Sequence, residues 1–385
     1  MGDGVSRTAP ILGASIGGYN GRTGRGAMLE SPAVRIVVDA MGGDHGAASS
    51  VAGAVLAARA GTGIVLVGRE ADVVRELDRH DVRGLPIEVV NADAVIGMDE
   101  KAPAEAVRSR RDNSMSVGVQ LVRHGSADAF VTAGNTGAAM TAATFGLGRV
   151  KGVLRPALAM VFPAIDGPVA LLDVGANPEV RPEHLLQFAM MGAAYAERVL
   201  GIERPRVGLI SIGEERGKGT ALVQAALLLL EGAPLHFIGN IEGHDVPQSR
   251  VDVAVTDGFT GNVMLKLSEG IAGLVTATLK REAKADFLSA LGGFLMRPAL
   301  GRIRRGWDYR GHGGAMLLGV RGAVVIGHGR SDAMAVASAV AVARRGVEHH
   351  LVDAIAEGIA RVEAAVEAEA AVGHASEIAF ASRGA

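Results

Sequence analysis

Short apolar runs and longer amphipathic stretches alternate along the chain. Ten of the runs consist mainly of Val, Ile, Leu and Ala, end in glycine or small polar residues, and have the length of a strand. The runs are RIVVDA, GIVLVG, PIEVVNA, AFVTAG, ALAMVF, VALLDVG, RVGLISIG, LHFIGNI, VAVTDG and AVVIGHG. Because several are apolar at nearly every position, they predict strands of a sheet that is covered on both faces.

Stretches with helical periodicity lie between these runs, and examples are AASSVAGAVLAAR, EHLLQFAMMGAAYAERVL and TALVQAALLLLEG. Strands that alternate with helices predict an α/β fold with an open, largely parallel sheet and helices on both faces. The spacing changes in VKGVLRPALAMVFPAIDG. We therefore expect a subdomain boundary near residues 151–163.

The two ends of the chain depart from this pattern. Residues 1–33 are rich in Gly, Arg and Thr without periodicity, so we expect a disordered N-terminal tail that is not a signal peptide. A G-x-S-x-G match at 13–17 has no strand before it and no helix after it, and we take it as chance. The α/β body is expected to cover residues 34–346, and a C-terminal helix and tail residues 347–385. We find no stretch that is long and uncharged enough to span a bilayer.

Composition and charge narrow the possibilities. A chain of 385 residues with 49% hydrophobic and 21% charged residues is typical of one large or two smaller globular domains. Lys and Arg total 39 against 41 acidic residues, so the net charge of −2 gives no general reason to expect nucleic acid. The chain has no cysteine, which excludes disulfides, thiolate zinc sites and a cysteine nucleophile. This suits a reducing cytosol, and we expect a cytoplasmic protein.

Five glycine-containing loops follow predicted strands and carry functional side chains. They are DAMGGDHG (39–46), TAGNTGA (132–138), LDVGANP (172–178), SIGEERGKGT (211–220) and TDGFTGN (256–262). In open α/β sheets, ligands collect at the carboxyl ends of the strands. We therefore expect these loops to line one shared cleft.

The residues of these loops suit phosphate. Successive glycines let backbone N–H groups surround an anion, and helix N-termini add partial positive charge. Lys218 would add a full positive charge, and neutral donors are available from Asn135, Thr136, Thr220, Thr260 and Asn262. No loop is a nucleotide motif: G-x-G-x-x-G is absent, and around Lys218 a Walker A loop would need glycine in place of Ile212 and Ser or Thr in place of Gly219.

The carboxylates leave a metal site open as a second interpretation. Candidate ligands for Mg²⁺ or Mn²⁺ are Asp39, Asp44, His45, Asp173 and Asp257. We favour the alternative, in which these residues cap helices and anchor loop amides, and we predict no bound metal. His312 and His328 lack a ligand partner at a recognisable spacing, so structural roles are expected for both.

Six ordered stretches resemble the bacterial phosphate acyltransferase family, which makes acyl phosphate from inorganic phosphate and the acyl thioester of acyl carrier protein. They are VVDAMGGDHG, DAFVTAGNTGAAM, LLDVGANPEVRPEHLLQFAMMGAAYA, RVGLISIGEERGKG, FIGNIEGHD and VTDGFTGNVMLKLSEG. The resemblance spans about residues 36–345. It departs from the family at Arg330 in GHGRSDA and in the sequence NPEV at 177–180, which affects ligand details near those loops.

The resemblance implies the fold of phosphotransacetylases and of isocitrate and isopropylmalate dehydrogenases. It further implies a homodimer without cofactor that acts at the start of phospholipid synthesis. Its acyl phosphate would pass to a membrane acyltransferase that acylates glycerol 3-phosphate. A metal-dependent NAD dehydrogenase on the same fold, or a regulator that binds phosphate or acyl groups without turnover, remains as an alternative.

The residues that match the family's motifs supply the candidate site. Lys218 and Asn262 are expected to be the principal electrostatic contributors, because the reaction develops negative charge beside an anionic phosphate. Asp39 or Asp44 would orient donors or accept a proton from phosphate, unless both only brace their loop. Further substrate-binding candidates are Gly42, Gly43, His45, Asn135, Thr136, Gly137, Asn177, Gly217, Asp257 and Thr260.

Residues 280–310 combine basic charge with an apolar helix face. Eight Lys or Arg against three acidic residues give this segment a net charge of +5. An apolar stripe with helical spacing is formed by Phe287, Leu288, Leu291, Phe294 and Leu295. Gly292 and Gly293 weaken this helix, and we expect Pro298 to break or kink it, so that ALGRIRRG forms a second short segment.

We predict that about residues 280–306 form a projecting helical hairpin that serves dimerisation. Arg302, Arg304 and Arg305 would steer the acidic carrier protein. Phe287, Phe294 and the basic flank would give the cytoplasmic protein a peripheral contact with anionic membrane. An ordinary structural helix with a solvated charged face is the alternative.

Overall fold

The computed structural model describes residues 17–18, 34–307, 313–362 and 364; for residues 302–307 it describes the backbone. The strands are β1 (Gly17–Gly18), β2 (Arg35–Asp39), β3 (Gly63–Gly68), β4 (Ile87–Asn91), β5 (Ala129–Thr132), β6 (Ala157–Ala164), β7 (Gly167–Leu172), β8 (Val207–Ile210), β9 (Phe237–Ile241), β10 (Val253–Val255), β11 (Ala315–Leu318) and β12 (Ala323–Ile326). The helices are α1 (Ala47–Arg59), α2 (Glu70–Leu77), α3 (Pro103–Ser109), α4 (Ser114–Arg123), α5 (Thr136–Gly146), α6 (Pro182–Tyr195), α7 (Ala221–Glu231), α8 (Gly258–Glu282), α9 (Phe287–Trp307) and α10 (Ala333–Glu348). A π-helical turn, Ala196–Leu200, follows α6, and residues 351–362 are helical.

The predicted α/β architecture is confirmed. All ten apolar runs contain a strand, and the three quoted amphipathic stretches form α1, α6 with its π-helical turn, and α7. Two described strands were not predicted. β11 is the short run AMLL between glycines, and β1 pairs with β4 from within the segment 1–33. The rest of that segment lies outside the described residues, as does the tail beyond residue 364.

Strand direction divides the sheet into two halves. Among the described residues its order is β1-β4-β3-β2-β5-β12-β11-β6-β7-β10-β8-β9. β2, β3, β4, β5 and β12 run parallel to one another, and so do β7, β8, β9 and β10. Three antiparallel pairings, β12 with β11, β11 with β6, and β6 with β7, separate these sets. The two sets therefore run in opposite directions.

This reversal corrects the expectation of one shared cleft within the chain. The carboxyl ends of β2, β5 and β12 lie at one edge of the sheet, and those of β7, β8 and β10 lie at the opposite edge. The five glycine loops consequently form two groups. Sequence periodicity could not show this, because a strand has the same pattern in either direction. The segment 151–163, where we expected a boundary, carries the chain from the first half into the second.

Helices cover both faces of the sheet, as the apolar runs predicted. Within β2, Ile36 and Val38 pack into one hydrophobic cluster and Val37 into the other. The first cluster includes residues of α1, α6, α7 and α10, and the second includes residues of α4 and α5. α4 lies close to the sheet, since a Cβ on Gly118 would be 2.6 Å from the Phe130 ring. The sheet thus holds the loops at both edges on a rigid base.

α8 and α9, joined by residues 283–286, occupy the segment for which we predicted a helical hairpin, and we call the two helices together the hairpin. α8 begins earlier than expected, at Gly258, and the packing of one helix against the other stays a prediction. Gly258 and Gly261 are the only buried residues of α8. We expected Pro298 to break or kink the helix; a break with a second short segment is wrong, because α9 is one helix that also passes through Gly292 and Gly293. Pro298 removes a single intrahelical donor, and the helix continues on both sides. No helix among the described residues is long and apolar enough to cross a membrane.

Candidate functional site

Three helix N-termini meet at the first edge of the sheet. α1, α5 and α10 follow the neighbouring strands β2, β5 and β12, and residues 40–46, 133–137 and 327–332 connect them; we call these residues the first loop group. Asn135 caps α5 by accepting a hydrogen bond from Ala138 N at 3.0 Å, and Asp332 caps α10 in the same way. Gly46 is the N-cap residue of α1, and no side chain caps this helix. The positive ends of three helix dipoles therefore point to this edge.

Asp39, at the end of β2, links two loops of the first loop group by buried hydrogen bonds. It is 1% exposed and accepts hydrogen bonds from the Thr132 hydroxyl at 2.7 Å and from Met41 N at 3.0 Å. Thr132 Oγ1 in turn accepts one from Gly134 N at 2.9 Å. Burial raises the pKa of the Asp39 carboxyl above its ordinary value, although the hydrogen bonds it accepts oppose the shift.

The loops of this group pack backbone against backbone. A Cβ on Gly42 would lie 2.6 Å from Gly134 N, so only glycine lets the two loops approach this closely. The third loop joins them through the 2.7 Å hydrogen bond from Asp44 N to Gly329 O. Gly43 lies in the same contact, with its Cβ position 3.0 Å from Gly329 O.

The polar side chains of the first group lie toward its outer surface. Asp44, His45 and Thr136 are exposed, and Asn135 and Gly137 are half-buried. Asn135 also donates a hydrogen bond to Met98 O at 3.2 Å, which fixes the segment that precedes α3. The structure therefore brings together eight of the predicted residues; they are Asp39, Gly42, Gly43, Asp44, His45, Asn135, Thr136 and Gly137.

At the opposite edge, residues 173–178, 211–220 and 256–262 follow β7, β8 and β10, and we call them the second loop group. Asp173 is fully buried and accepts hydrogen bonds from four backbone N–H groups and from the Asn177 amide. The other Asn177 amide proton goes to Pro156 O at 2.7 Å. We predicted that Asn177 binds substrate. In the structure, both protons of its side-chain amide are used in hydrogen bonds to Asp173 and Pro156, which hold its own loop.

The first turn of α8 packs against the loop that Asp173 and Asn177 hold. Asp257 is its N-cap and accepts hydrogen bonds from both the amide and the hydroxyl of Thr260, each at 2.8 Å. A Cβ on Gly261 would overlap the carbonyl oxygen of Asp173, so α8 is packed tightly on the strand end. Asn262 is half-buried and faces Gly175, with the nearest Asn262 side-chain atoms 3.8 Å from the Cβ position of Gly175.

Lys218 lies on the exposed part of the second group. Its backbone N–H bonds Glu215 O at 3.0 Å, and its stem passes close to Gly213. Gln224 holds the adjacent exposed Gly217 by donating to its carbonyl at 2.9 Å. Within the described part of the chain, the Lys218 ammonium forms no ion pair, so its charge is available to a ligand.

The metal candidates do not form one site. Asp39, Asp44 and His45 lie at the first edge and Asp173 and Asp257 at the second. Among the described residues, no group of three or more His, Asp or Glu side chains is arranged to hold a metal ion. His328 accepts a hydrogen bond from Arg330 N at 3.2 Å, within the first loop group, and His312 lies outside the described residues.

Sequence reasoning missed the side chains that hold Asp39. Thr132 donates a hydrogen bond to its carboxylate. Burial raises the pKa of Asp39, and the side chains of Thr132 and of Ser114, in the first turn of α4, act in the opposite direction. Thr132 ends a predicted strand inside a quoted motif, so its position was the available signal. Ser114 follows Asn113, whose side chain caps α4 by accepting from Ser116 N, and this pattern marks a helix start without indicating a contact with β2.

The family model described as fatty acid synthesis protein matches residues 34–353. The chain belongs to this family. It is 49% identical over 336 residues to a phosphate acyltransferase of Anaeromyxobacter sp. (strain Fw109-5), across 87% of this chain and 93% of the relative. A phosphate acyltransferase of Desulfitobacterium hafniense (strain DSM 10664 / DCB-2) is 46% identical over 336 residues, across 87% of this chain and 100% of the relative.

Among solved structures, a phosphotransacetylase from Streptococcus pyogenes matches with a TM-score of 0.55 at 15% identity, over 82% of this chain and 94% of that chain. This likeness shows the fold that the motifs led us to expect. The resemblance to phosphate acyltransferases is confirmed by the curated relatives, and these relatives favour an acyltransferase over the NAD dehydrogenase alternative.

Proposed function

We propose that the protein is a phosphate acyltransferase that converts inorganic phosphate and the acyl thioester of acyl carrier protein into acyl phosphate and free carrier. The observation that carries the proposal is the first loop group. Three helix N-termini and closely packed glycine loops converge there, in a chain whose family relatives are named phosphate acyltransferase. Such an arrangement suits a bound phosphate.

The proposed reaction needs no nucleophile from the protein. An oxygen of hydrogen phosphate attacks the thioester carbonyl carbon, and a C–O bond forms. The tetrahedral oxyanion then collapses, the C–S bond breaks, and the proton of hydrogen phosphate passes to the carrier's sulfur. The site has to hold phosphate in line with the thioester and stabilise the oxyanion with donors that are already oriented.

In the first loop group, backbone N–H groups near Gly42, Gly43 and Gly137 would bind phosphate, with Asn135 and Thr136 as side-chain donors. The burial of Asp39 and its hydrogen bonds support a bracing role, in which it orients the Thr132 hydroxyl and Gly134 N. Asp44 and His45 are exposed beside these loops, so they are the proposed groups for proton transfer and phosphate contact.

From the second loop group, Lys218 and Asn262 are the proposed contributors of positive charge and of an amide donor. The hydrogen bonds of Asp257, Thr260 and Asn177 support a role in shaping the loops that present these two side chains. Gly217 keeps the backbone next to Lys218 open to a ligand.

The direct test is to incubate the protein with a long-chain acyl carrier protein thioester and phosphate, and to trap acyl phosphate with hydroxylamine. We expect phosphate-dependent product without added metal or nucleotide. Activity that disappears with a chelator and returns with Mg²⁺, or turnover with glycerol 3-phosphate as the direct acceptor, would contradict the proposal. Tight NAD binding would favour the dehydrogenase, and phosphate or acyl binding without product would favour a regulator.

The exposed face of the hairpin supports a homodimer. Phe259, Phe287 and Phe294 are 67%, 81% and 63% exposed. At about 150–250 Å² for each aromatic side chain, they present roughly 300–500 Å². Ten further exposed aliphatic side chains of α8 and α9 are Val263, Leu267, Ile271, Leu274, Val275, Leu279, Leu288, Leu291, Leu295 and Met296. This area suffices for the roughly 800 Å² per partner of a standard interface, and we propose a second copy as the occupant.

The basic end of the hairpin supports two further proposals. Arg302, Arg304 and Arg305, whose side chains lie outside the described residues, would attract the acidic carrier protein. Phe287 and Phe294, together with this charge, would give the protein a peripheral contact with anionic lipid at the cytoplasmic side. A membrane acyltransferase that transfers the acyl group of acyl phosphate to glycerol 3-phosphate is the proposed next enzyme, in phospholipid synthesis.

A further inference from the structure

A group of exposed cations lies at the edge of the sheet that carries the second loop group. Its members are Arg123, Arg149, Lys151, Arg155 and Arg321, and we call them the basic platform. They come from the end of α4, from the connection between α5 and β6, and from the turn between β11 and β12. Because β6 is antiparallel to β7, this connection reaches the sheet beside the end of β7, where residues 173–178 begin.

Backbone hydrogen bonds hold the two main segments of the platform, residues 148–155 and 319–322, in a fixed arrangement. Val150 N donates to Gly319 O at 2.9 Å. The side-chain amide of Gln187, on α6, makes two further hydrogen bonds to the backbone of the first segment, at 2.8 and 2.9 Å. The platform therefore presents its charges from a rigid base.

The arginines of the platform bond backbone carbonyls and not carboxylates. Arg123 donates to Gly146 O at 3.3 Å and Arg321 to Leu147 O at 2.9 Å, both at the C-terminal end of α5, where the helix dipole favours a cation. Arg149 donates to a carbonyl of its own segment. A carbonyl oxygen carries only a partial charge, so the full positive charge of each guanidinium stays largely uncompensated.

Acidic side chains are missing from both segments. Residues 129–165 and 309–331 contain no Asp or Glu. No ion pair within the part of the chain that the structure describes involves a member of the platform. Burial lowers the pKa of the nearby His184 below its ordinary value, and the positive charges of Arg181 and Arg155 act in the same direction. The platform is thus a region of positive charge in a chain whose net charge is −2.

The platform continues into the second loop group. Asn177 donates a hydrogen bond to Pro156 O at 2.7 Å, so the residue that follows Arg155 is bonded directly to the loop 173–178. The same loop faces Asn262 on α8. A partner that covers the platform therefore lies beside the side chains that we propose for catalysis.

We propose that the basic platform is the surface on which acyl carrier protein docks while its thioester reaches the second loop group. This inference rests on the proposed function and names the surface that its protein substrate contacts. An acidic carrier complements a rigid set of cations that have no carboxylate partner in the described chain. Lipid is less favoured, because in residues 148–155 and 319–322 the one exposed large apolar side chain is Leu154, at 37%.

Lys151→Glu combined with Arg155→Glu tests the proposal. Neither side chain makes a hydrogen bond within the described residues, so the fold should be kept. KM for the carrier thioester should rise at least roughly tenfold, because the new carboxylates repel the acidic carrier. The salt dependence of turnover should weaken, whereas kcat at saturating thioester and KM for phosphate should stay unchanged.

The matched control is Arg198→Glu combined with Arg361→Glu, which reverses two exposed cations outside the platform and should leave KM for the carrier thioester unchanged. A charge swap gives a second readout. A carrier variant with its acidic surface residues changed to Lys should bind the Lys151→Glu, Arg155→Glu protein better than it binds wild type. A purely structural role of the two residues would not respond to the charge of the carrier.

Unchanged KM and salt dependence in the Lys151→Glu, Arg155→Glu protein would overturn the proposal, and a raised KM after reversal of Arg302, Arg304 and Arg305 would then place docking on α9. A changed mass in sedimentation would instead make the platform a contact between copies of the chain. Lost co-sedimentation with anionic vesicles at unchanged KM would make it a lipid contact. These outcomes leave the proposed function standing, whereas absence of acyl phosphate formation by wild type would remove it and the docking surface together.

Discussion

Residues of one type have different roles in this site because their surroundings differ. Asp39 and Asp44 are five positions apart in one glycine loop, yet Asp39 is buried under hydrogen bonds from its own loops whereas Asp44 is exposed. Asp173 repeats the arrangement of Asp39 at the other edge of the sheet. We conclude that the aspartates at the strand ends brace loops, and that the exposed residues beside them are the ones available for chemistry.

Replacing Asp39 by Asn should change how stability depends on pH. Burial raises the pKa of Asp39 in the folded protein, so the folded state binds this proton more tightly than the unfolded state. The contribution of this proton to the free energy of unfolding is therefore complete below the pKa of Asp39 in the unfolded state, about 3.8, and is lost as the pH rises through its pKa in the folded state. The free energy of unfolding of wild type relative to Asp39→Asn should fall by about 1.4 kcal/mol for each unit of the shift.

Urea unfolding at a series of pH values from 4 upward measures this difference. Asp44→Asn, which removes an exposed carboxyl from the same loop, serves as the matched variant. A difference between wild type and Asp39→Asn that stays constant across the series would show that the Asp39 carboxyl titrates alike in both states.

Lys218→Ala and Asn262→Ala should fold normally and lose roughly 10²–10³-fold in kcat, because each removes a fixed electrostatic group from the transition state. Circular dichroism would establish folding, and hydroxylamine trapping would measure turnover. Arg216→Ala in the same exposed loop is the matched control, since its guanidinium is already paired with Glu231. A folded variant with near-wild-type turnover would remove that residue from the proposed mechanism.

At the scale of elements, α8 changes character along its length. Its first turn is packed on the second loop group through Gly258 and Gly261, and the remaining turns carry exposed apolar side chains. The difference arises because a helix that begins on a three-residue strand and continues for 25 residues extends beyond the sheet that could cover it.

Two glycine substitutions in α8 should have opposite effects. Gly261→Ala forces a Cβ into the Asp173 carbonyl and should lower the free energy of unfolding by about 1–3 kcal/mol, since the close packing cannot relax freely. Gly270→Ala meets no atom within 4 Å and should raise it by about 0.5–1 kcal/mol through helix propensity. Thermal unfolding of both variants compares them directly. Equal effects would mean that α8 does not pack on the loop as described.

Reversing the charge of Arg302, Arg304 and Arg305 to Glu tests the basic end of α9. If these residues steer the carrier protein, KM for its thioester should rise and the salt dependence of turnover should weaken. If they contact lipid, co-sedimentation with anionic vesicles should be lost. A variant unchanged in both assays would identify this part of α9 as an ordinary structural helix.

For the whole molecule, the reversal of strand direction between the two halves of the sheet decides what the chain can do alone. The reversal places the two loop groups, both of which suit an anion, at opposite edges of the sheet. In a sheet whose strands all run in one direction, they would lie side by side. The exposed apolar side chains of α8 begin at one of these loop groups, so in the proposed dimer the second copy would lie close to it.

Leu267→Glu combined with Leu274→Glu should dissociate the dimer, because it places two charges in the apolar face of α8. Sedimentation should then give the mass of one chain. Leu228→Glu on α7, which is also exposed but lies outside the hairpin, should remain dimeric and active. A doubly substituted protein that remains dimeric would contradict the proposed dimer face.

The sequence by itself determined the family, the α/β class, ten strands and the motifs that carry the candidate site. These depend on local pattern: apolar runs fix strands, and glycines beside polar residues mark loops that approach a ligand. The sequence also located the apolar stripe of α9 from helical spacing alone, but it did not identify the exposed apolar side chains of α8. It missed β11, because a four-residue run between glycines carries too little pattern to identify.

Only the tertiary structure decided which motifs lie together. Lys218 and Asn135 both sit in loops after strands, and nothing local distinguishes the edge to which each belongs. That depends on how the strands pair in the middle of the sheet. β11 is antiparallel to both β12 and β6, which leaves β6 parallel to β12, and the antiparallel pairing of β6 with β7 then reverses the second half of the sheet. The tertiary structure also decided that Asp39 is buried whereas Asp44 is exposed. The local sequence determines which functional groups each loop carries. Contacts between segments distant in the sequence determine which loops lie close together and which side chains are exposed to solvent.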